Sequence, residues 1–118
     1  MKNISNILLA GIFLAILLLG ACQKVVYPPI EAPTEVSFSD DVQPIFDSKC
    51  ISCHGGNVSP ELNPGVSYNE LINGGYVDTE NPPESEIIQK LYGSHDARAT
   101  ETEKQTILVW IEGGAINN

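Results

Sequence analysis

The sequence predicts an all-α fold, and three observations predict it. Apolar residues recur at spacings of three and four in several separate stretches, no stretch alternates as a half-buried strand does, and glycines stand where the helical stretches stop. These stretches fall within one small domain, residues 37–118, behind an apolar leader at 1–21 and a proline-rich connector at 22–36.

The first helix is expected to start at Ser39, whose side chain would cap it, with Asp40 and Asp41 at the positive end of its dipole. Pro44 removes a hydrogen bond and crowds the preceding turn, so the helix is either kinked there or has its regular part beginning at Pro44. In both cases Val42, Ile45 and Phe46 share one side.

This helix leads into Cys50-Ile51-Ser52-Cys53-His54. Two thiols three residues apart, followed at once by an imidazole, are what covalent haem attachment needs. Each thiol, Cys50 and Cys53, adds to a haem vinyl group, and His54 becomes the proximal iron ligand. Two other readings use the same residues. A structural zinc site would want four protein ligands, and the chain has no second Cys or His pair. A thiol redox pair of the thioredoxin kind would want a β-α-β pattern, which is missing.

Residues 55–65 are rich in glycine, proline and asparagine, so no regular element is expected to cross them. The run must pass on the His54 side of a bound haem, where a carbonyl would orient the histidine through its other ring nitrogen. Pro60 is assigned to that segment, with Leu62 packing on the haem. Ser67-Tyr68-Asn69-Glu70 has the spacing of a capping box and opens a short helix through Leu71 and Ile72, ended by Gly74-Gly75. After an irregular stretch, Glu84 to Tyr92 is expected to be helical, with Ile87, Ile88 and Leu91 as its apolar stripe and Gly93 as its stop. Thr100-Glu101-Thr102-Glu103 is again a capping box. It opens the last helix, which carries Ile107, Leu108, Trp110 and Ile111 and is stopped by Gly113-Gly114. Trp110 is taken as the anchor of this helix against the first.

The leader has Lys2 near its start and an uncharged apolar core from Ile7 to Leu19, the pattern of a secretory signal peptide. Leu19-Gly20-Ala21-Cys22 resembles the lipobox of bacterial lipoproteins, which implies that Cys22 is acylated and becomes the mature N-terminus. An uncleaved transmembrane helix is the alternative, and both end at a membrane surface. Tyr27 to Pro33 carries three prolines and reads as an extended, semi-rigid tether. Gln23, following the acylated cysteine, leans the location towards the periplasmic side of the outer membrane. The three cysteines are then all accounted for, one by lipid and two by haem, with no structural disulfide expected.

The formal charge is −9, from 6 Lys+Arg against 15 Asp+Glu, and loss of Lys2 with the leader makes it one unit more negative. Such a chain lacks the basic footprint of a nucleic-acid binder. By electrostatic steering it would favour a redox partner with a basic docking face, although a solvated acidic protein has the same composition.

From Phe38 to Ala115 the sequence resembles the mono-haem, class I kind of c-type cytochrome domain found in bacterial lipoproteins. The residues that carry the resemblance are Asp41 to Phe46 leading into Cys50 to Gly55, and the closing run Trp110 to Ala115. It implies a fold in which the first and last helices cross, one covalent haem c with a partly exposed edge, and electron transfer rather than enzyme catalysis. One departure matters. The family commonly supplies a methionine as the sixth iron ligand from a loop before the last helix, and here the only methionine is Met1. In the corresponding place stands Gly93-Ser94-His95-Asp96-Ala97-Arg98, and His95 is the only histidine besides His54. His95 is therefore expected to be the distal iron ligand, the alternative being a solvent-exposed loop histidine. In that case the iron would be five-coordinate and open to peroxide or a gas, with His95 or Arg98 as a distal group.

Overall fold

The computed structural model describes residues 35–118, and among them every regular element is helical and none is a strand. The leader, Cys22 and the connector up to residue 34 lie outside the described residues. No helix among the described residues is long and apolar enough to cross a membrane.

The chain enters its first helix two residues earlier than Ser39. Ser37 is the cap, its Oγ accepting from the Asp40 N–H at 3.3 Å, while the Ser39 N–H donates to Asn118 O. Phe38–Val42 form a π-helical turn that passes into α1, Gln43–Lys49. Pro44 explains the widened turn: it has no N–H to give and its ring crowds the carbonyl four residues back. Reaching back five residues from Val42 to Ser37 O and from Gln43 to Phe38 O takes up the mismatch. Regular α-helix begins beside Pro44, where proline is tolerated. Val42, Ile45 and Phe46 are buried together on one side of this helical run.

A one-turn helix, α2, spans Ile51–His54. The irregular run that follows leads to α3, Ser67–Asn73. Its cap differs from the expected box: Val66 takes the cap position with no side-chain bond, and Ser67 lies wholly buried inside the helix. The hydroxyl of Ser67 is engaged elsewhere, donating to Gln43 Oε1. Buried polar groups take the partner that tertiary packing supplies, and here that partner outcompetes the local backbone.

The helix expected from Glu84 is divided. Pro82–Glu84 make a 3-10 turn, and α4 runs from Glu86 to Leu91. Ser85 separates them in a non-helical conformation, φ −52° and ψ 133°, with its hydroxyl bound to Asp78, accepting from the Asp78 N–H at 2.9 Å and donating to Asp78 O at 3.2 Å. A second 3-10 turn, Asp96–Arg98, precedes α5, Glu101–Glu112. The capping box at Thr100 is formed in both directions: Thr100 Oγ1 accepts from the Glu103 N–H, and Glu103 Oε2 accepts from the Thr100 N–H at 2.7 Å. Gly114 ends α5 at φ 94°, where a side chain would be strained.

One aromatic cluster joins the start of the fold to its last helix. The Phe38 ring lies 5.1 Å from Trp110 and 5.2 Å from Tyr68, and Trp110 Nε1–H donates to Ile116 O. Around it Val42, Phe46, Leu71, Ile107 and Ile111 complete a buried apolar core. The described residues thus supply a continuous core of their own, and the candidate site opens beside it.

Candidate haem site

The Cys-x-x-Cys-His string forms one helical turn set against the end of α1. The Cys50 N–H donates to Phe46 O at 2.9 Å, and the Cys53 and His54 N–H groups both donate to Cys50 O. At separations of three and four residues, Cys50, Cys53 and His54 fall on one side of that turn. Gly55 follows because nothing larger fits: a Cβ there would lie 2.7 Å from Ile51 O.

His54 is half-buried and oriented from below. Its Nδ1 is 3.0 Å from Pro60 O and 3.3 Å from Val58 O, so an Nδ1–H donates to this loop and Nε2 is left free. The loop is itself held, since the Leu62 N–H donates to His54 O at 2.8 Å and Leu62 O accepts from Gln43 Nε2 at 3.0 Å. Gln43 also donates to Asp47 Oδ1 and accepts from Ser67. No cue beyond its helical position beside Val42 marked Gln43 as the link between α1, α3 and the loop under His54.

His95 reaches the same place from the other end of the domain. Gly93 closes α4, the His95 N–H donates to Lys90 O at 2.8 Å, and the 3-10 turn starts directly after it. Its Nδ1 is 3.0 Å from Ser94 Oγ. The His54 and His95 ring centres are 6.2 Å apart with their planes at 47°.

Between them lies a cavity of about 370 Å³. Cys50, Cys53, His54, Pro60, Leu62 and His95 all line it, with Phe46, Tyr76, Ile87 and Leu91 as apolar wall. Tyr76 and Ile87 were not among the expected site residues; Ile87 is on the apolar stripe of α4 and faces the cavity where Ile88 faces the core. Lys49, Lys90 and Arg98 also line it, with Glu86 as a carboxylate, so a strongly acidic chain presents cations here. Of the described cations only Lys104 lies elsewhere.

Both histidines and both cysteines line this one cavity, as residues that hold a haem would. The His54 and His95 ring centres, 6.2 Å apart, leave room for a metal to which each imidazole would give one nitrogen. The cavity is within the size range of cofactor sites. No group of three or more His, Cys, Asp or Glu side chains converges among the described residues. Two protein ligands suit a metal whose other four positions a macrocycle fills, and do not suit a bare ion. Burial foremost, then the charges of Glu103 and Cys53, pushes the Cys50 thiol up from its ordinary pKa. A thiol redox pair calls for the opposite shift.

No family model matches the chain, and no solved structure matches it. Among curated proteins it is similar to hydrazine synthase subunit alpha of Kuenenia stuttgartiensis, 27% identical over 122 aligned residues covering 68% of this chain. The match spans 15% of that subunit.

Proposed function

We propose that the chain is a membrane-tethered, mono-haem c-type cytochrome of the class I kind that carries single electrons, with His54 and His95 as the axial ligands. The observation that carries this reading is the pairing of the two rings at 6.2 Å across a cavity whose wall also bears Cys50 and Cys53. Haem c bound there supplies a one-electron Fe(III)/Fe(II) couple. The chain's own residues do the rest. Cys50 and Cys53 hold the group through thioethers. Pro60 O fixes the tautomer of His54 by accepting from Nδ1–H, and the Ser94 hydroxyl, accepting from Nδ1–H of His95, would likewise leave Nε2 of that ring for the metal. Leu62, Phe46 and Leu91 exclude water from the cavity wall, and Lys49, Lys90 and Arg98 offer partners to the carboxylates that haem carries.

Two imidazole ligands set a lower reduction potential than an imidazole and a thioether. They also leave no position for substrate, which suits a carrier rather than an enzyme. In this reading Cys22 is lipidated and holds the domain at the periplasmic side of a membrane, the outer membrane being favoured, and the net negative charge steers a partner with a basic face. The kinship with hydrazine synthase subunit alpha concerns one segment of a much larger protein, and its reaction is not carried over.

The experiment is mass and visible spectroscopy of the purified mature protein. One covalent haem and a low-spin spectrum in both oxidation states, unaltered by carbon monoxide, are expected. A mature mass without haem sinks the reading. A high-spin ferrous form that binds carbon monoxide at once replaces the carrier with an open-iron protein. Cys22→Ser is expected to release the protein from membranes with haem attachment intact.

A further inference from the structure

Lys104 lies on the core-facing stripe of α5, three residues before Ile107 and seven before Ile111, and its side chain is 1% exposed. An ammonium in that position is costly unless it is fully paired. Its partners are instructive. Nζ donates to Glu101 Oε1 at 2.7 Å on its own helix and lies 4.9 Å from the centre of the Tyr92 ring, at the end of α4. Its third partner is Asp96 Oδ1, at 2.5 Å. Asp96 adjoins His95 and is otherwise a surface residue, with a side chain 65% exposed.

An apolar residue would serve the core at position 104 as well, because an ion pair whose carboxylates are 59% and 65% exposed adds little stability. What the pair adds is position. The turn bearing His95 is closed locally by its backbone, through Asp96 N–H to Gly93 O and Arg98 N–H to His95 O. Asp96 is the only member of residues 93–98 whose side chain is tied to α5.

We propose that Lys104 is the positioning residue for the sixth iron ligand: through Asp96 it holds the 93–98 turn where the His95 ring faces that of His54. This rests on the reading of His95 as an axial ligand. The clamp keeps His95 from leaving, so it controls how often the sixth position opens.

The test uses the haem-loaded full chain and the rate at which its ferrous form takes up saturating carbon monoxide, which reports departure of His95. Lys104→Met keeps length and burial while removing the ion pair, and Asp96→Asn, at an exposed side chain, weakens the same contact should the first variant fail to fold. Both are expected to keep one covalent haem and wild-type helical circular dichroism, and to bind carbon monoxide at least about tenfold faster, as loss of a charge-assisted bond implies. His95→Ala should bind it faster still, and Lys104→Met should add nothing in that background. Wild-type rates in Lys104→Met and Asp96→Asn beside a fast His95→Ala overturn the clamp alone. An equal acceleration by Lys104→Met in the His95→Ala background overturns it too, because the effect then bypasses His95. A His95→Ala protein with an unaltered low-spin spectrum overturns the axial reading and the clamp with it.

Discussion

Replacing Gln43 by leucine asks how firmly the loop beneath His54 is held. The two side chains have similar volumes, so the change opens little space and its cost comes from orphaned polar groups. Gln43 Nε2 satisfies Leu62 O, and Gln43 Oε1 satisfies the hydroxyl of Ser67, a residue with 0% exposure. Asp47, its third partner, is exposed and returns to water. A buried group left without its partner costs about 1–3 kcal/mol. Two of them, less the gain from burying leucine in place of an amide, give a loss of about 2–4 kcal/mol. The assay is urea unfolding of the haem-loaded protein followed by circular dichroism, completed by the cycle with Ser67→Ala. Ser67→Ala removes one of the two orphans, so the double variant should be more stable than additivity predicts by about 1–2 kcal/mol. Strict additivity, or a Gln43→Leu protein as stable as wild type, refutes the network.

The remaining predictions concern α5. The backbone N–H of Thr100 foremost, then its hydroxyl and Lys49 against the opposing effect of burial, hold the Glu103 carboxyl below the usual glutamate range. A depressed folded pKa gives stability that is present above the unfolded value of about 4.3 and is lost as pH falls through the folded value. Glu103→Gln should therefore flatten the decline of the urea midpoint from about pH 5 downwards, and an unchanged acid limb would count against the cap as its source. Thr100→Ala removes the other half of the box and should cost about 0.5–2 kcal/mol by thermal melting; a melting temperature equal to wild type would show the cap to be idle. Trp110→Phe, at a residue 2% exposed whose indole donates to Ile116 O, should cost about 1–3 kcal/mol in the same melts. A neutral result would remove Trp110 as the anchor between the last helix and Phe38.

The residues themselves determined whatever is local. Pro44 set the start of regular helix beside it, Thr100 and Glu103 capped α5, and glycines stood where α3, α4 and α5 stop, because each depends on neighbours within one turn. Cys50, Cys53 and His54 were likewise legible as a unit, since their spacing alone puts them on one side of a helical turn. What tertiary structure decided is the partner of every polar group that had a choice. Ser37 and not Ser39 caps the first helix, Ser67 turns to Gln43 rather than to its own backbone, and Ser85 turns to Asp78 and divides a helix that periodicity would have run through. Helical spacing placed Lys104 on the buried stripe, but no sequence rule says that its ammonium meets Asp96. The meeting of His54 with His95 was expected from the resemblance alone, through the place of His95 before the last helix, and it is packing that brings the two rings together. Two rings far apart in sequence come within 6.2 Å only because α1, α4 and the loops between them pack as they do.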